Sequence, residues 1–188
     1  FLDVGCGSGN VLKGLRAAGF KNARGCDISE IFILNDSQQG LNVDVYNGDK
    51  LPYADSSFDV VGSFTVFEHV GNPKEFLEEK FRVLKTGGHM IVACPNFLTV
   101  LFNNPHPTTK GILNKTMNFF KLLGLMLTRS VDFEMMEAII REDFQPDDDA
   151  VVVANPVQLE RFFKSKNMKI IKSSGFMTAV SIKFTLNC

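Results

Sequence analysis

Two acids and three glycines near the start of the chain have the types and spacing to hold a polar, nucleotide-like ligand. Gly5, Gly7 and Gly9 fall at alternate positions behind the apolar run Phe1-Leu2-Asp3-Val4, with Asp3 two residues ahead of the first glycine. Glycine lacks a Cβ and tolerates positive φ, so such a turn lets the backbone approach a ligand closely. A helix after the turn would aim its unpaired N–H groups and positive dipole end at the same point. Asp27 ends a second short stretch, Ala23-Arg24-Gly25-Cys26, 18 residues beyond Gly9. That is close to the spacing of two parallel strands joined by one crossover helix. One carboxylate at that strand tip can accept from both hydroxyls of a ribose. It also suits an N-cap for a helix over 29–37, and the two roles are compatible. Among the three histidines, His69 follows an apolar strand at 58–64, on the sheet edge where α/β folds bind ligands. Histidine suits a general base near neutral pH. A local hydrogen-bonding role for His69 is an equal alternative. His106 in a Pro- and Asn-rich loop is a second candidate, and Glu68 is a further acceptor-side group. His89 begins a strand at the opposite edge and reads as structural.

The elements that must position these residues follow from the pattern of the chain. Strand ends, a glycine turn and amphipathic helices alternate over the first half, which predicts an α/β fold with a mainly parallel sheet. The run 58–64 is apolar on successive positions, as in a strand buried on both faces. Gly87-Gly88 is placed to end a helix with a left-handed cap before a fifth strand at 89–93. With 188 residues, 45% of them apolar, the chain can bury one substantial core and reads as a single domain. A net charge of −1, without a long basic run, offers little footprint for nucleic acid. The cysteines Cys6, Cys26, Cys94 and Cys188 form no C-x-x-C pair and read as small core residues of a reduced, cytoplasmic protein. No metal-ligand cluster, signal peptide or repeat is evident, and no metal is expected.

The G-x-G-x-x-G dinucleotide fingerprint is absent. Instead, Asp3 with Gly5, Gly7 and Gly9 resembles motif I of the class I S-adenosylmethionine (SAM) methyltransferases. Asn47-Gly48-Asp49-Lys50-Leu51-Pro52-Tyr53, running to Phe58-Asp59-Val60-Val61, resembles the G-D-x-x-x-L-P-F-x-x-x-x-F-D-x-V stretch of the type-11 methyltransferase family. Phe67-Glu68-His69-Val70 is similar to its L-E-H-V segment, and Glu79 to Gly88 to its E-x-x-R-V-L-K-P-G-G helix and turn, with Thr86 in place of proline. The resemblance runs from Phe1 to about Asn96. It implies a Rossmann-like three-layer sandwich whose sheet has seven strands and ends in an antiparallel hairpin. It implies SAM as cofactor, with S-adenosylhomocysteine as product. Asp3, Gly5, Cys6, Gly7 and Gly9 would hold its methionine end, and Asp27 and Ile28 its ribose. Asp49, Lys50, Leu51 and Phe64 would hold its adenine. Members of this fold usually carry an N-terminal segment over the cofactor, so an N-terminal part is expected to be missing.

Beyond Phe97 the resemblance thins. The segment at about 97–149 reads as a helical insertion that caps the substrate: Ile112–Leu127 is apolar and helical in length, and 131–141 is expected to continue as helix. Its polar interruptions and shortness argue against a membrane span, while contact with a membrane surface or a second copy through 112–140 is open. Asp147-Asp148-Asp149 reads as a solvated loop. Asn155 and Pro156 read as N-cap and first residue of a helix, with strands expected at 168–172 and 178–186. The expected function is methyl transfer to an oxygen or nitrogen of a small molecule, a sugar, lipid or secondary metabolite. The alternatives are a catalytically silent SAM-binding scaffold and, further off, an NAD(P)-dependent oxidoreductase or epimerase.

Overall fold

The computed structural model describes residues 1–98, 112–128, 130–143, 147–174 and 180–186. Five parallel strands carry the fold: β1 (Leu2–Val4), β2 (Arg24–Asp27), β3 (Val43–Val45), β4 (Phe58–Phe64) and β5 (Leu84–Cys94), in the spatial order β3-β2-β1-β4-β5. The three-residue β1 sits at the centre, with Leu2, Asp3 and Val4 all buried between β2 and β4. Leu2 pairs with Arg24 of β2 and Val61 of β4, so the chain order reverses at β1. Helices α1 (Asn10–Ala17) and α2 (Glu30–Gln38) pack Leu12 and Ile33 into one cluster with Cys6 and Ala23. Helix α3 (Pro73–Val83) instead packs Phe76 and Leu77 into a separate, larger core. Helix α4 spans Ile112–Leu127, and α5 (Pro156–Ser165) brings Leu159, Phe162 and Phe163 to the larger core.

The helix starts are set by short polar side chains. Ser29 Oγ accepts from Phe32 N at the head of α2, Asn72 caps α3 ahead of Pro73, and Asn155 caps α5 ahead of Pro156. Asp27 is therefore not the cap of α2, although its Oδ1 accepts from the Ser29 amide at 2.9 Å.

Three expectations change. Gly87-Gly88 does not cap a helix: α3 ends at Val83, and Leu84 is already extended and paired with Phe58. The reason is burial, because Leu84 is 2% exposed and can stay so only on the strand. Gly88 is needed for a close approach instead, since a Cβ there would lie 2.9 Å from the Asp59 carbonyl. Residues 131–141 are not helical. Their amides bond across the chain: Met136 N donates to Val151 O at 2.8 Å, Ile139 N to Asp148 O at 2.7 Å, and Glu134 O accepts from Val153 N at 2.8 Å. This lays Phe133 edge-on against Phe67, ring centroids 5.1 Å apart. The triple acid is not simply solvated either: Asp148 is fully buried, and Arg141 grips its two oxygens through Nε and Nη2.

Lys80 of α3 is fully buried, its ammonium donating to Ser63 Oγ and lying 5.2 Å from the Phe76 ring centre. Burial drives its pKa down to about 7, and neighbouring Asp3 acts against that fall. An unfolded lysine keeps its proton to about 10.4. Between those values the unfolded chain binds more protons, so this residue makes stability rise with pH. Lys80→Met should stabilise the domain by about 1–4 kcal/mol at pH 6. The gain should narrow as pH approaches 10, as read from urea unfolding at both ends.

Candidate functional site

The order reversal at β1 leaves a crevice beyond the carboxyl ends of β1, β2 and β4, where open α/β sheets take their ligands. A cavity of about 750 Å³ fills it, floored by the glycine turn. The amides of Gly5 and Cys6 both donate to Cys26 O, at 2.8 and 3.0 Å, which ties the turn to β2. All three glycines have positive φ. A Cβ on Gly5 would stand 2.5 Å from Val66 Cγ2, whereas one on Gly7 would meet nothing within 4 Å and would project into open space. Gly9 faces elsewhere: it caps α1, and a Cβ there would strike Leu41 and Asp36.

Asp27 stands at the rim with both oxygens fixed, Oδ2 accepting from Gly7 N at 2.8 Å and Oδ1 from Ser29 N at 2.9 Å. Each oxygen keeps a second lone pair for a ligand donor. Asp3 lies deeper, 2% exposed, and its Oδ1 has no hydrogen-bond partner. Burial pushes its carboxyl up to about 6, with Lys80 pulling the other way. Ile28, Phe32, Tyr46 and Phe64 supply apolar wall, and Tyr46 is held by its amide on Asp27 O at 3.1 Å.

The other end of the cavity is acidic. Thr65 leaves β4 with φ +53, costly for a β-branched residue, and the chain turns into a short 3₁₀ segment at Phe67–His69. Glu68 is fully buried with both carboxylate oxygens unpartnered, and burial, with Asp147 and Asp149 nearby, holds its carboxyl up at about 8. The His69 ring stands between two acids: Nε2 is 3.7 Å from Glu68 Oε1, and Nδ1 is 3.2 Å from Asp149 Oδ1 without hydrogen-bond alignment. Two amides, Val151 N and Val152 N, donate to the Glu68 carbonyl at 2.8 and 3.0 Å, bolting this turn to the segment after the acids.

Of the residues singled out from sequence, Asp3, Gly5, Cys6, Gly7, Asp27, Ile28, Phe64 and His69 line the cavity. Gly9, Asp49, Lys50 and Leu51 do not. Asp49 sits in an exposed turn closed by Asn47, whose side-chain oxygen accepts the Asp49 amide at 3.2 Å. Leu51 is buried, its amide taken by Glu79 Oε2 at 2.9 Å and its carbonyl by Arg82 at 3.1 Å, while Lys50 is exposed beside it. His106 lies outside the described residues. His89 sits within β5 and pairs with Val60, away from the cavity. Tyr46, Thr65 and Asp149 were missed. Tyr46 had a signal, being the first residue past a strand end, but Asp149 comes from 80 residues beyond His69 and had none.

Residues 2–92 match a family model described as a methyltransferase domain. A mitochondrial ubiquinone biosynthesis O-methyltransferase of Dictyostelium discoideum is 31% identical over 94% of this chain and 51% of its own length. A ubiquinone biosynthesis O-methyltransferase of Maricaulis maris is 37% identical over 50% of this chain and 40% of its own. The chain thus spans about half or less of these curated relatives. Among solved structures, an S-adenosylmethionine-dependent methyltransferase of Mesorhizobium loti shares the fold at a TM-score of 0.67 and 13% identity, covering 98% of this chain and 89% of that one.

The two cavity glycines should separate by mutation. Gly7→Ala should cost about 1–2 kcal/mol of stability, the penalty of a left-handed non-glycine residue. Gly5→Ala should cost that and about 1–3 kcal/mol more, because its Cβ overpacks Val66. Urea unfolding of the two variants measures the difference, and equal losses would contradict the close approach at Val66.

Proposed function

This chain belongs to the class I S-adenosylmethionine-dependent methyltransferases, in the methyltransferase-domain family that its residues 2–92 match, and from that premise we propose that it moves a methyl group to an oxygen or nitrogen of a small molecule. The single observation that carries the reading is one cavity in which Asp3, Gly7 and Asp27 meet, with a buried Asp3 oxygen left unpartnered. Those residues fit the cofactor. The free Asp3 oxygen suits the ammonium of its methionine end, and the spare lone pairs of Asp27 suit a ribose diol. Gly7 leaves room where any side chain would intrude, and Ile28, Tyr46 and Phe64 offer an apolar wall for a flat base. Gly5 and Cys6 shape the turn beneath.

When bound, S-adenosylmethionine supplies a methyl group activated on a sulfonium. The chain's own work is to align the acceptor with that group and to exclude water. His69 is the acceptor-side residue, facing the cavity beside Asp149. As the acceptor gains the methyl it gives up one proton, which His69 is placed to receive. That the relatives include O-methyltransferases favours an oxygen acceptor, on a lipid, sugar or secondary metabolite. A silent SAM-binding scaffold remains the contrasting reading, favoured by no specific observation.

The same reading makes 1–188 one domain, with 97–149 as the cap over the acceptor. In support, α4 carries Ile112, Phe120, Met126 and Leu127 exposed, an apolar face for an acceptor, a membrane surface or a second copy. No helix of the described residues is long and apolar enough to cross a membrane. The sheet is read as closing in an antiparallel hairpin, β6 (Met168–Ser174) and β7 (Val180–Leu186), seven strands in all; β7 running antiparallel beside β5 supports this. Cys6, Cys26 and Cys94 are free and buried, which suits a reducing, cytoplasmic setting.

Calorimetric titration with S-adenosylhomocysteine tests the site, followed by transfer of a labelled methyl to a panel of acceptors. Binding should be micromolar and should exclude NADH; binding without any transfer would favour the scaffold. Asp27→Ala should weaken binding by about tenfold or more, the worth of hydrogen bonds to a charged group. His69→Ala should leave binding intact and depress transfer.

The affinity should also depend on pH through Asp3. Only the ionised carboxylate accepts an ammonium, and the free protein protonates Asp3 near pH 6. Affinity should therefore be full above that value and fall by up to about tenfold per unit below it. Asp3→Asn should bind weakly with that slope removed.

A further inference from the structure

We propose that Glu68, His69 and Asp147 form a site for a divalent transition-metal ion, of the Mn²⁺ or Zn²⁺ class, at the acidic end of the cavity. The proposal rests on reading the cavity as a methyl-acceptor site and assigns what holds the acceptor there: an oxygen of a hydroxylated acceptor takes the ion's remaining position.

The first support is convergence. One ligand atom from each of the three residues lies within 4.8 Å of the others, so an ion between them needs only small side-chain adjustments. The second is independent of it. Glu68 is sealed from water with neither carboxylate oxygen hydrogen-bonded. A buried carboxylate without partners is costly, and buried charges are normally paired or coordinate metals. An ion on Glu68 answers both facts.

The surroundings fit a metal rather than a loose cluster of acids. His69 Nε2 faces Glu68 Oε1 at 3.7 Å while Nδ1 faces Asp149 Oδ1 at 3.2 Å. With an ion on Nε2, a small rotation would align Nδ1 on Asp149, giving the order carboxylate, imidazole, metal in which an outer acid orients a ligating histidine. Asp148, between the two acids, is turned away and neutralised by Arg141, so it does not compete for the ion. The frame is fixed by backbone: Ala150 N bonds Asp147 O at 3.1 Å, and Val151 and Val152 bond Glu68 O. One imidazole nitrogen with carboxylate oxygens suits Zn²⁺ or Mn²⁺ better than Ca²⁺, which prefers oxygen alone. Of these residues His69 and Asp149 line the cavity, so the site adjoins the space read as the acceptor's. With an ion bound, His69 would serve as its ligand, in place of the proton-accepting role it has in the metal-free protein.

The test is a titration of chelator-stripped protein with Mn²⁺, following loss of the free-ion electron paramagnetic resonance signal. S-adenosylhomocysteine binding is measured by calorimetry on the same preparation. One Mn²⁺ should bind per chain, saturably. Asp147→Asn, which keeps a residue tolerant of the left-handed backbone at φ +66, should weaken it at least roughly tenfold, the loss already seen when an outer partner of a metal site is removed. Glu68→Gln should do the same with an unchanged circular dichroism spectrum; should it unfold, Asp147→Asn decides alone. Glu30→Gln, an exposed acid on α2, should change nothing. Absence of saturable binding at millimolar Mn²⁺, or equal affinity in Asp147→Asn, overturns the site. S-adenosylhomocysteine binding without Mn²⁺ binding rejects the metal and leaves the cofactor reading standing; the reverse pattern rejects the cofactor reading instead.

Discussion

The constraint on which the rest of the structure depends is the close approach of backbone at the carboxyl end of β1. There the Cys26 carbonyl receives the amides of both Gly5 and Cys6, and Val66 presses on the bare face of Gly5. Three chain segments far apart in sequence meet with no side chain between two of them. The turn cannot shift without opening that contact, so its position is inherited by everything built on it. Gly7 directs its amide to Asp27, Asp27 holds Ser29, and Ser29 starts α2. On the other side, Val66 leads into the turn that carries Glu68 and His69. A single packing decision thus registers the glycine-turn end and the His69 end of the cavity against each other.

The site also concentrates charge where a stable core would have none. Asp3, Lys80 and Glu68 are each at most 2% exposed, and each has its protonation displaced by burial. Buried ionisable groups lacking close partners cost stability, and proteins keep them mainly where a ligand completes the set. Asp3 lines the crevice itself and Glu68 adjoins His69 at its other end, while Lys80 donates to Ser63 in the core. The larger core beneath, with Phe67, Leu77, Met90 and Phe163 packed without exposed surface, carries that cost.

How much of this could be read from the sequence depended on how local the physics was. The glycine turn, the acid at the tip of β2 and the bounds of β4 and α4 follow from backbone geometry and apolar runs, which are written in consecutive residues. The caps Asn155 and Asn72 are local as well. What could not be read was set by distant partners. Leu51 is itself held by Glu79 and Arg82, about 30 positions on, which take its amide and carbonyl, contacts its own neighbourhood does not show. Residues 131–141 have helical spacing, yet strand-like bonds to 148–153 override it. Asp148 and its neighbours look like a solvated run because nothing nearby shows that Arg141 will bury one of them. The approach of Asp147 and Asp149 to His69 was invisible for the same reason.

That approach is secured in an economical way. The acid segment is joined to the His69 turn by amides of Val151 and Val152 on one carbonyl, contacts that involve no side-chain atom. Main-chain links of this kind are indifferent to residue identity. The side chains beside His69 are therefore free to vary while the scaffold holds its alignment, so this end of the cavity can change its lining by substitution without disturbing the glycine-turn end. The joint works as a coupling between a fixed module and an interchangeable one.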